Sequence, residues 1–305
     1  MLTPTGDTQG KTYGDTYGDT YKEALFYKKT GGGGTGCELC PRRCRLAPGA
    51  SGACLARKNA GGTLYSLNYG RVSSLALDPI EKKPLYRFRP GSMILSAGSF
   101  GCNFFCPFCQ NHSISRNIPE TRKETPDSLV QKAVAAKEYG NIGIAYTYNE
   151  PSVWYEFVLE TAMRAAREGL ANVLVTNGYI SPAPLAELLP HISAMNIDLK
   201  GDAGFYRDMC GGDAGTVMET IKTAARAGRH VEVTTLLVTG RNDDEKAVSG
   251  IAAAVSEISE EIPLHLTRFF PRYKMSGEAP TDPAFVRRAA EIARRKLKYV
   301  YAGNI

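Results

Sequence analysis

The chain has 305 residues, of which 43% are hydrophobic, and a formal net charge of +6. That length holds one large α/β domain with an appendage, or two smaller domains, with ample apolar material for a core. No apolar run reaches the ~18 residues of a membrane span. The N-terminal "MLTPTGDTQGKTYGDTYGD" has no basic region leading into an apolar one. Neither a membrane partner nor a secretory signal is expected, and the chain reads as cytoplasmic.

Residues 1–22 read as a disordered tail whose tandem "TYGDTYGDTY" is too short for a structural repeat. "GGGG" at 31–34 reads as a flexible joint. It precedes "CELCPRRCRLAPGASGAC", which carries Cys37, Cys40, Cys44 and Cys54. Residues 23–92 are therefore expected to form a small cysteine-rich module with an extension.

From Met93 to the end a different rhythm begins. Candidate strands are "MILSA" (93–97), "IGIAYTY" (142–148), "NVLVT" (172–176), "AMNIDL" (194–199), "VEVTTLLV" (231–238) and "LHLTRFF" (264–270). Amphipathic stretches lie between them, several opening on Pro or Asp and closing on Gly, the expected helix punctuation. Six strands alternating with helices predict an α/β protein with a parallel sheet. In "AMNIDLK", Met195, Ile197 and Leu199 alternate with Asn196, Asp198 and Lys200, so one face is polar. A sheet covered by helices on both faces has nearly continuous apolar strands. The alternation therefore favours a partial (β/α)6 barrel over 93–305, with its site at the carboxyl ends of the strands. Thr147 to Glu150, Thr176 with Asn177, and Asp198 with Lys200 gather at those ends.

Eight cysteines in clusters point to metal binding rather than to disulfides. "GCNFFCPFCQ" places Cys102, Cys106 and Cys109 as C-x3-C-x2-C directly after the first barrel strand, between glycines. Three soft thiolates so close suit a cluster with one open coordination position, as an open position marks catalytic zinc. Cys37, Cys40, Cys44 and Cys54 supply four thiolates, the set of a closed site. A structural zinc and a second, electron-relaying iron–sulfur cluster both satisfy them. Cys210, in "DMCGGDAG", is expected near the barrel mouth, as a buried small residue or as a participant in catalysis. His265 and Arg268 are weaker candidates on the last strand. Val286, Ala290, Ala293, Leu297 and Val300 approximate a helical stripe, which makes "RRAAEIARRKLK" the solvated face of a C-terminal helix rather than a nucleic-acid patch.

The three-cysteine spacing, with Phe108 before the last cysteine and six βα-type units around it, resembles the radical S-adenosylmethionine (SAM) superfamily. That resemblance implies a 4Fe–4S cluster on Cys102, Cys106 and Cys109, with SAM chelating the open iron. Reductive cleavage of SAM then gives a 5′-deoxyadenosyl radical for hydrogen abstraction. "TYNEP" (147–151) falls where the family has a glycine–glycine–glutamate segment. Tyr148 and Asn149 replace the two glycines, and Asn149 and Glu150 would hold SAM. "TNG" (176–178) and "DLK" (198–200) are similar to segments of pyruvate formate-lyase activating enzymes, which implies SAM positioning by Asn177, Asp198 and Lys200. Phe108 would contact adenine.

Over about residues 23–305 the chain also resembles the radical SAM enzyme of the AmmeMemoRadiSam system, in "CELCPRRC", "GSFGCNFFCPFCQN", "AYTYNEPSVWYEF" and "LTRFFPRYKM" among others. Those relatives continue past "YVYAGNI" into a segment with another cysteine pair, so a fragment, or a version without that segment, is expected. The resemblance implies a reductant such as flavodoxin or ferredoxin, and an unidentified substrate, a small molecule or a protein. A glycyl-radical-enzyme activating role is the alternative. A non-catalytic zinc- or nucleic-acid-binding protein is a distant rival.

Overall fold

The computed structural model describes residues 21–305, which leaves nearly all of the expected tail outside the described residues. An eight-stranded sheet forms its centre. In chain order the strands are β1 (Ser74–Pro79), β2 (Met93–Gly98), β3 (Asn141–Tyr146), β4 (Ala171–Thr176), β5 (Ala194–Asp198), β6 (His230–Leu237), β7 (Leu264–Arg268) and β8 (Val300–Gly303). They lie side by side in that same order. From β2 to β8 all pairings are parallel, and β1 runs antiparallel to β2.

The six expected strands are β2 to β7, so the partial barrel stands, with an extra strand at each edge. Residues 74–79, from the extension, supply one of them. Val300 is not the last turn of a helix, as its apolar spacing suggested, but the first residue of β8. The helix before it, α6 (Pro283–Ala293), stops because residues 294–299 turn back. Arg294 Nη2 then caps the Val300 carbonyl at 3.1 Å.

The crossovers are α1 (Pro126–Ala135), α2 (Tyr155–Arg167), α3 (Pro182–Leu188), α4 (Ala214–Arg226), α5 (Glu245–Ser256) and α6. Their starts follow the punctuation in the sequence. Thr125 and Ser128 form a reciprocal capping box on α1, and Asp213 and Asp244 cap α4 and α5 through Thr216 N and Ala247 N. Proline leads α1, α3 and α6, where a missing N–H costs nothing. The apolar faces of these helices meet the outward strand residues, Met195, Ile197, Val233 and Leu266 among them, in one continuous core.

A second, smaller core occupies the opposite face. Ile80, Leu85 and Phe88, between β1 and β2, pack on Ile94, Ala145, Val173 and Ala194. Residues 80–92 thus plug the floor of the barrel. Asn196 Nδ2 holds the Pro84 carbonyl at 2.8 Å. Glu232 accepts from the Arg87 N–H at 2.8 Å and the Tyr86 N–H at 3.1 Å, and pairs with His230 (2.9 Å) and His265 (2.6 Å). The polar face of "AMNIDLK" therefore looks inward, as expected. His265 serves this floor rather than the opposite end.

The N-terminal stretch forms two small antiparallel ribbons, Tyr27–Thr30 with Gly34–Cys37 and Arg45–Leu46, and Lys22–Glu23 with Thr63–Ser66 and Arg57–Ala60. "GGGG" is not a joint but the hairpin turn of the first ribbon. Gly32 (φ 66°) and Gly33 (φ 72°) adopt the left-handed backbone that this turn needs.

Candidate active site

Loop 99–111 leaves β2 at its carboxyl end and is held by side chains from the ends of the next strands. Gly98 lets the chain pass close to β3: a Cβ there would lie 2.6 Å from the Thr147 carbonyl oxygen. Gly101 takes φ 90°, and a Cβ would lie 2.4 Å from the Cys54 carbonyl oxygen. The upstream cysteine segment is thus pressed directly on the three-cysteine loop.

Asn149 turns its amide mainly to that loop. Its Oδ1 accepts from the Ser99 N–H at 2.8 Å, and its Nδ2 donates to the Phe100 and Gly101 carbonyls at 3.1 and 3.2 Å. Asn111 closes the far end, donating to the Tyr148 carbonyl at 2.8 Å. Arg116 binds the Cys102 and Phe104 carbonyls at 3.2 and 3.4 Å. Together with Arg42 it sandwiches the Phe105 ring, their guanidinium carbons 4.4 and 4.2 Å from its centre.

Tyr148 has φ 72°, a conformation that favours glycine and strains an aromatic residue. The family's glycine at this place therefore has a backbone reason. In this chain the strain is offset by the side chain: Tyr148 Oη donates to Asp78 Oδ2 at 2.8 Å, and Lys83 Nζ lies 4.9 Å from its ring centre. Asp78 and Lys83 form a buried ion pair at 2.9 Å beside it.

Glu150 is buried and fully engaged. Its carboxylate accepts from Thr176 Oγ1 (2.7 Å), the Asn177 N–H (2.7 Å) and the Ser152 N–H (2.9 Å). Burial raises its pKa, against the pull of those hydrogen bonds. Asn177 donates to Asn103 Oδ1 at 2.8 Å and reaches Cys102 Sγ at 3.6 Å. Asp198 and Lys200 pair at 2.7 Å, and Tyr206 Oη links the Asp198 carbonyl to the Lys200 N–H at 3.0 Å each. Burial works to lower the Lys200 pKa, but Asp198, then Cys106 and Cys210, hold it well above the usual value. Phe108 is buried, its ring centre 5.9 Å from that of Phe205.

Cys210 is fully buried at the end of a π-helical turn, Tyr206–Cys210. Its carbonyl accepts from the Phe105 N–H at 3.0 Å, and its thiol lies beside that of Cys106. That contact, and then burial, raises the Cys106 thiol well above its ordinary pKa. Burial does the same for Cys102 and Cys109. All eight cysteines are free. Among the described residues no three His, Cys, Asp or Glu side chains close around the position of a single metal ion. The three thiols of Cys102, Cys106 and Cys109 are of the donor type that holds an iron–sulfur cluster.

The structure brings Asn149, Glu150, Asn177, Asp198, Lys200 and Cys210 to the three-cysteine loop and leaves His265 on the floor. Arg268 donates to the Thr281 carbonyl at 2.7 Å and stays outside this set. Asn103, Asn111 and Arg116 carry no signal in the sequence beyond lying in or just after the cysteine loop.

A three-cysteine loop at the carboxyl end of a partial barrel defines a class of radical enzymes, and comparison with known proteins agrees. Residues 98–249 match the Radical SAM superfamily, and the chain belongs to it as an enzyme of that class. An uncharacterized protein of Methanocaldococcus jannaschii is 43% identical over 289 residues, 93% of this chain and 85% of that protein. The isethionate sulfite-lyase activating enzyme of Nitratidesulfovibrio vulgaris is 26% identical over 199 residues, 61% of this chain and 64% of that enzyme. Streptococcus suis SuiB bound to S-adenosylmethionine matches at TM-score 0.56 and 14% identity, over 68% of this chain and 49% of SuiB. A radical SAM methyltransferase from Sphaerobacter thermophilus matches at TM-score 0.56 and 16% identity, over 70% of this chain and 67% of that one. These structural likenesses concern the fold. Among the described residues no helix is long and apolar enough to cross a membrane.

Proposed function

We propose that the protein cleaves SAM reductively, with a 4Fe–4S cluster on Cys102, Cys106 and Cys109 and SAM on the iron that no cysteine ligates. The observation that carries this is the three-cysteine loop set against the polar ends of β3, β4 and β5. When bound, the reduced cluster supplies one electron that splits SAM into methionine and a 5′-deoxyadenosyl radical, which takes hydrogen from the substrate. Glu150, Asn177, Asp198 and Lys200 position SAM, and Phe108 faces its adenine. Asn149 acts through the loop, since its amide is spent on backbone groups there. Lys200 holds a positive charge beside Cys106, and Cys210 steadies that cysteine. Residues 23–92 form the module and extension that brace the barrel of 93–305, and Cys37, Cys40, Cys44 and Cys54 are a second, closed metal site of zinc or iron–sulfur type. The reductant is a flavodoxin or ferredoxin.

The test is anaerobic reconstitution followed by SAM and dithionite, with 5′-deoxyadenosine as the readout. Product is expected. Its absence, together with one bound zinc and no iron, overturns the proposal. A second reading, activation of a glycyl-radical enzyme, is favoured by the similarity to an activating enzyme. It requires a protein substrate, which becomes visible as a glycyl-radical signal in the partner. A small-molecule substrate gives 5′-deoxyadenosine with no such signal.

A further inference from the structure

Both ends of the three-cysteine loop converge on Tyr148. Its ring lies against Gly98, where the loop leaves β2: a Cβ on Gly98 would lie 3.0 Å from both Cβ and Cδ2 of Tyr148. Its carbonyl accepts from Asn111 Nδ2 at 2.8 Å, where the loop ends. In the chain it stands between Thr147, whose N–H donates to the Ala97 carbonyl at 2.9 Å, and the pair Asn149 and Glu150.

The phenol points away from the loop. Gly98 shares a face of β2 with Ile94, a residue of the floor core. Ile94 is paired across the sheet edge with Asp78 of β1. Tyr148 Oη spans that distance and donates to Asp78 Oδ2 at 2.8 Å. Asp78 is held in turn by Lys83 Nζ at 2.9 Å, from the segment that plugs the floor, and by Lys82 Nζ at 3.3 Å. Lys83 is buried, and its ammonium lies 4.9 Å from the Tyr148 ring centre, so tyrosine, aspartate and lysine close a triangle. A carboxylate acceptor makes the phenol's hydrogen bond stronger than a neutral acceptor would.

The backbone alone would not select this residue. Its left-handed φ of 72° disfavours a side chain and is open to glycine. Such a conformation persists only where the surroundings fix it. Here they fix it through the phenol, and the segment fixed is the one that carries Asn149 and Glu150.

Resting on the reading of Cys102, Cys106 and Cys109 as the place where SAM binds, we propose that Tyr148, anchored to Asp78 and Lys83, is a positioning residue for SAM. It holds residues 147–150 and both ends of the loop in the geometry that receives SAM, without touching SAM through its phenol. Edge strand β1 and the floor thereby set the affinity for SAM from the opposite end of the barrel.

Tyr148→Phe keeps the ring and removes only the hydroxyl. In the full, iron-loaded chain it is expected to raise the KM for SAM about tenfold, with kcat for 5′-deoxyadenosine near its unaltered value. The dissociation constant of SAM, read by equilibrium dialysis, is expected to rise by the same factor. Tyr146→Phe removes a buried hydroxyl that is bonded to Asn172 Oδ1 at 3.0 Å. It controls for lost stability alone and is expected to leave that KM unchanged. Tyr148→Gly separates anchor from backbone, because it relieves the strained φ while losing the phenol. Weaker SAM binding is expected. Binding as tight as in the unaltered protein overturns the proposal, and so does an unchanged KM in Tyr148→Phe. A readout that needs no cluster is hydrogen exchange of the metal-free chain, expected to rise over residues 99–111 in both Tyr148 variants. Unchanged exchange there overturns the tether. Failure of the underlying reading looks different: the unaltered iron-loaded protein then neither binds SAM nor gives 5′-deoxyadenosine, while exchange in the metal-free variants still rises.

Discussion

A carboxylate buried as deeply as that of Glu150 persists because three donors converge on it. Glu150→Ala leaves the Ser152 and Asn177 N–H groups and the Thr176 hydroxyl unpaired, and is expected to destabilise the protein by on the order of 3 kcal/mol in urea denaturation. Gly101 makes a sharper test of the loop, because its φ of 90° and the approach of the Cys54 carbonyl both exclude a side chain. Gly101→Ala is expected to cost about 1–3 kcal/mol and to lower the iron retained after reconstitution, measured by iron counting against unaltered protein. At this scale the cysteine spacing was legible, because ligand chemistry restricts residue type. The roles of Asn103, Asn111 and Arg116 were not. Their partners are backbone carbonyls and amides up to 76 residues away, and nothing local marks them.

The floor of the barrel is the element with the clearest acid response. Burial works to raise the Glu232 pKa, but hydrogen bonds from His230, His265 and the Arg87 N–H pull it down to about 2, from an ordinary 4.5. A carboxylate depressed in the folded state stabilises above its unfolded pKa, and that contribution is lost as pH falls from 4.5 toward 2. It amounts to roughly 3 kcal/mol near neutrality. Glu232→Gln is therefore expected to be less stable at pH 7 and to lose less on acidification between pH 5 and 3, followed by denaturant midpoints across pH. Elements β2 to β7 were legible because their apolar runs alternate with well-punctuated helices. The edge strands were not. Asp78 and Pro79 disguise β1 as a turn, and Val300 continues the helical spacing of α6 across a reversal that only its tertiary partners reveal. "GGGG" misled for a related reason, since glycine signals a tight turn and a loose linker alike.

At the scale of the whole molecule, a buried ion pair helps fasten the cysteine-rich ribbons to the barrel. Arg57 Nη2 meets Glu156 Oε1 at 2.5 Å with both side chains 1% exposed, and Glu156 also accepts from the Leu25 N–H at 2.8 Å. Arg57→Met leaves Glu156 charged and alone, and is expected to cost about 3–5 kcal/mol, with hydrogen exchange rising over residues 22–66. Arg57→Met/Glu156→Leu is expected to recover most of that loss. A recovery of nothing shows that the loss lies in the arginine's other contact, to the Leu25 carbonyl.

The clamp on loop 99–111 is drawn from the whole length of the chain. Arg42 reaches Gly211, Cys102 meets Asn177, and Phe105 meets Cys210. Contacts so distant in sequence form late in folding. During synthesis the seven clustered thiols therefore emerge well before the partners that shelter them, and oxidants reach them most readily in that interval. Loading of the proposed cluster is then a step for the finished chain. Oxygen exclusion during expression is therefore expected to raise the iron that the purified protein retains, read by iron counting.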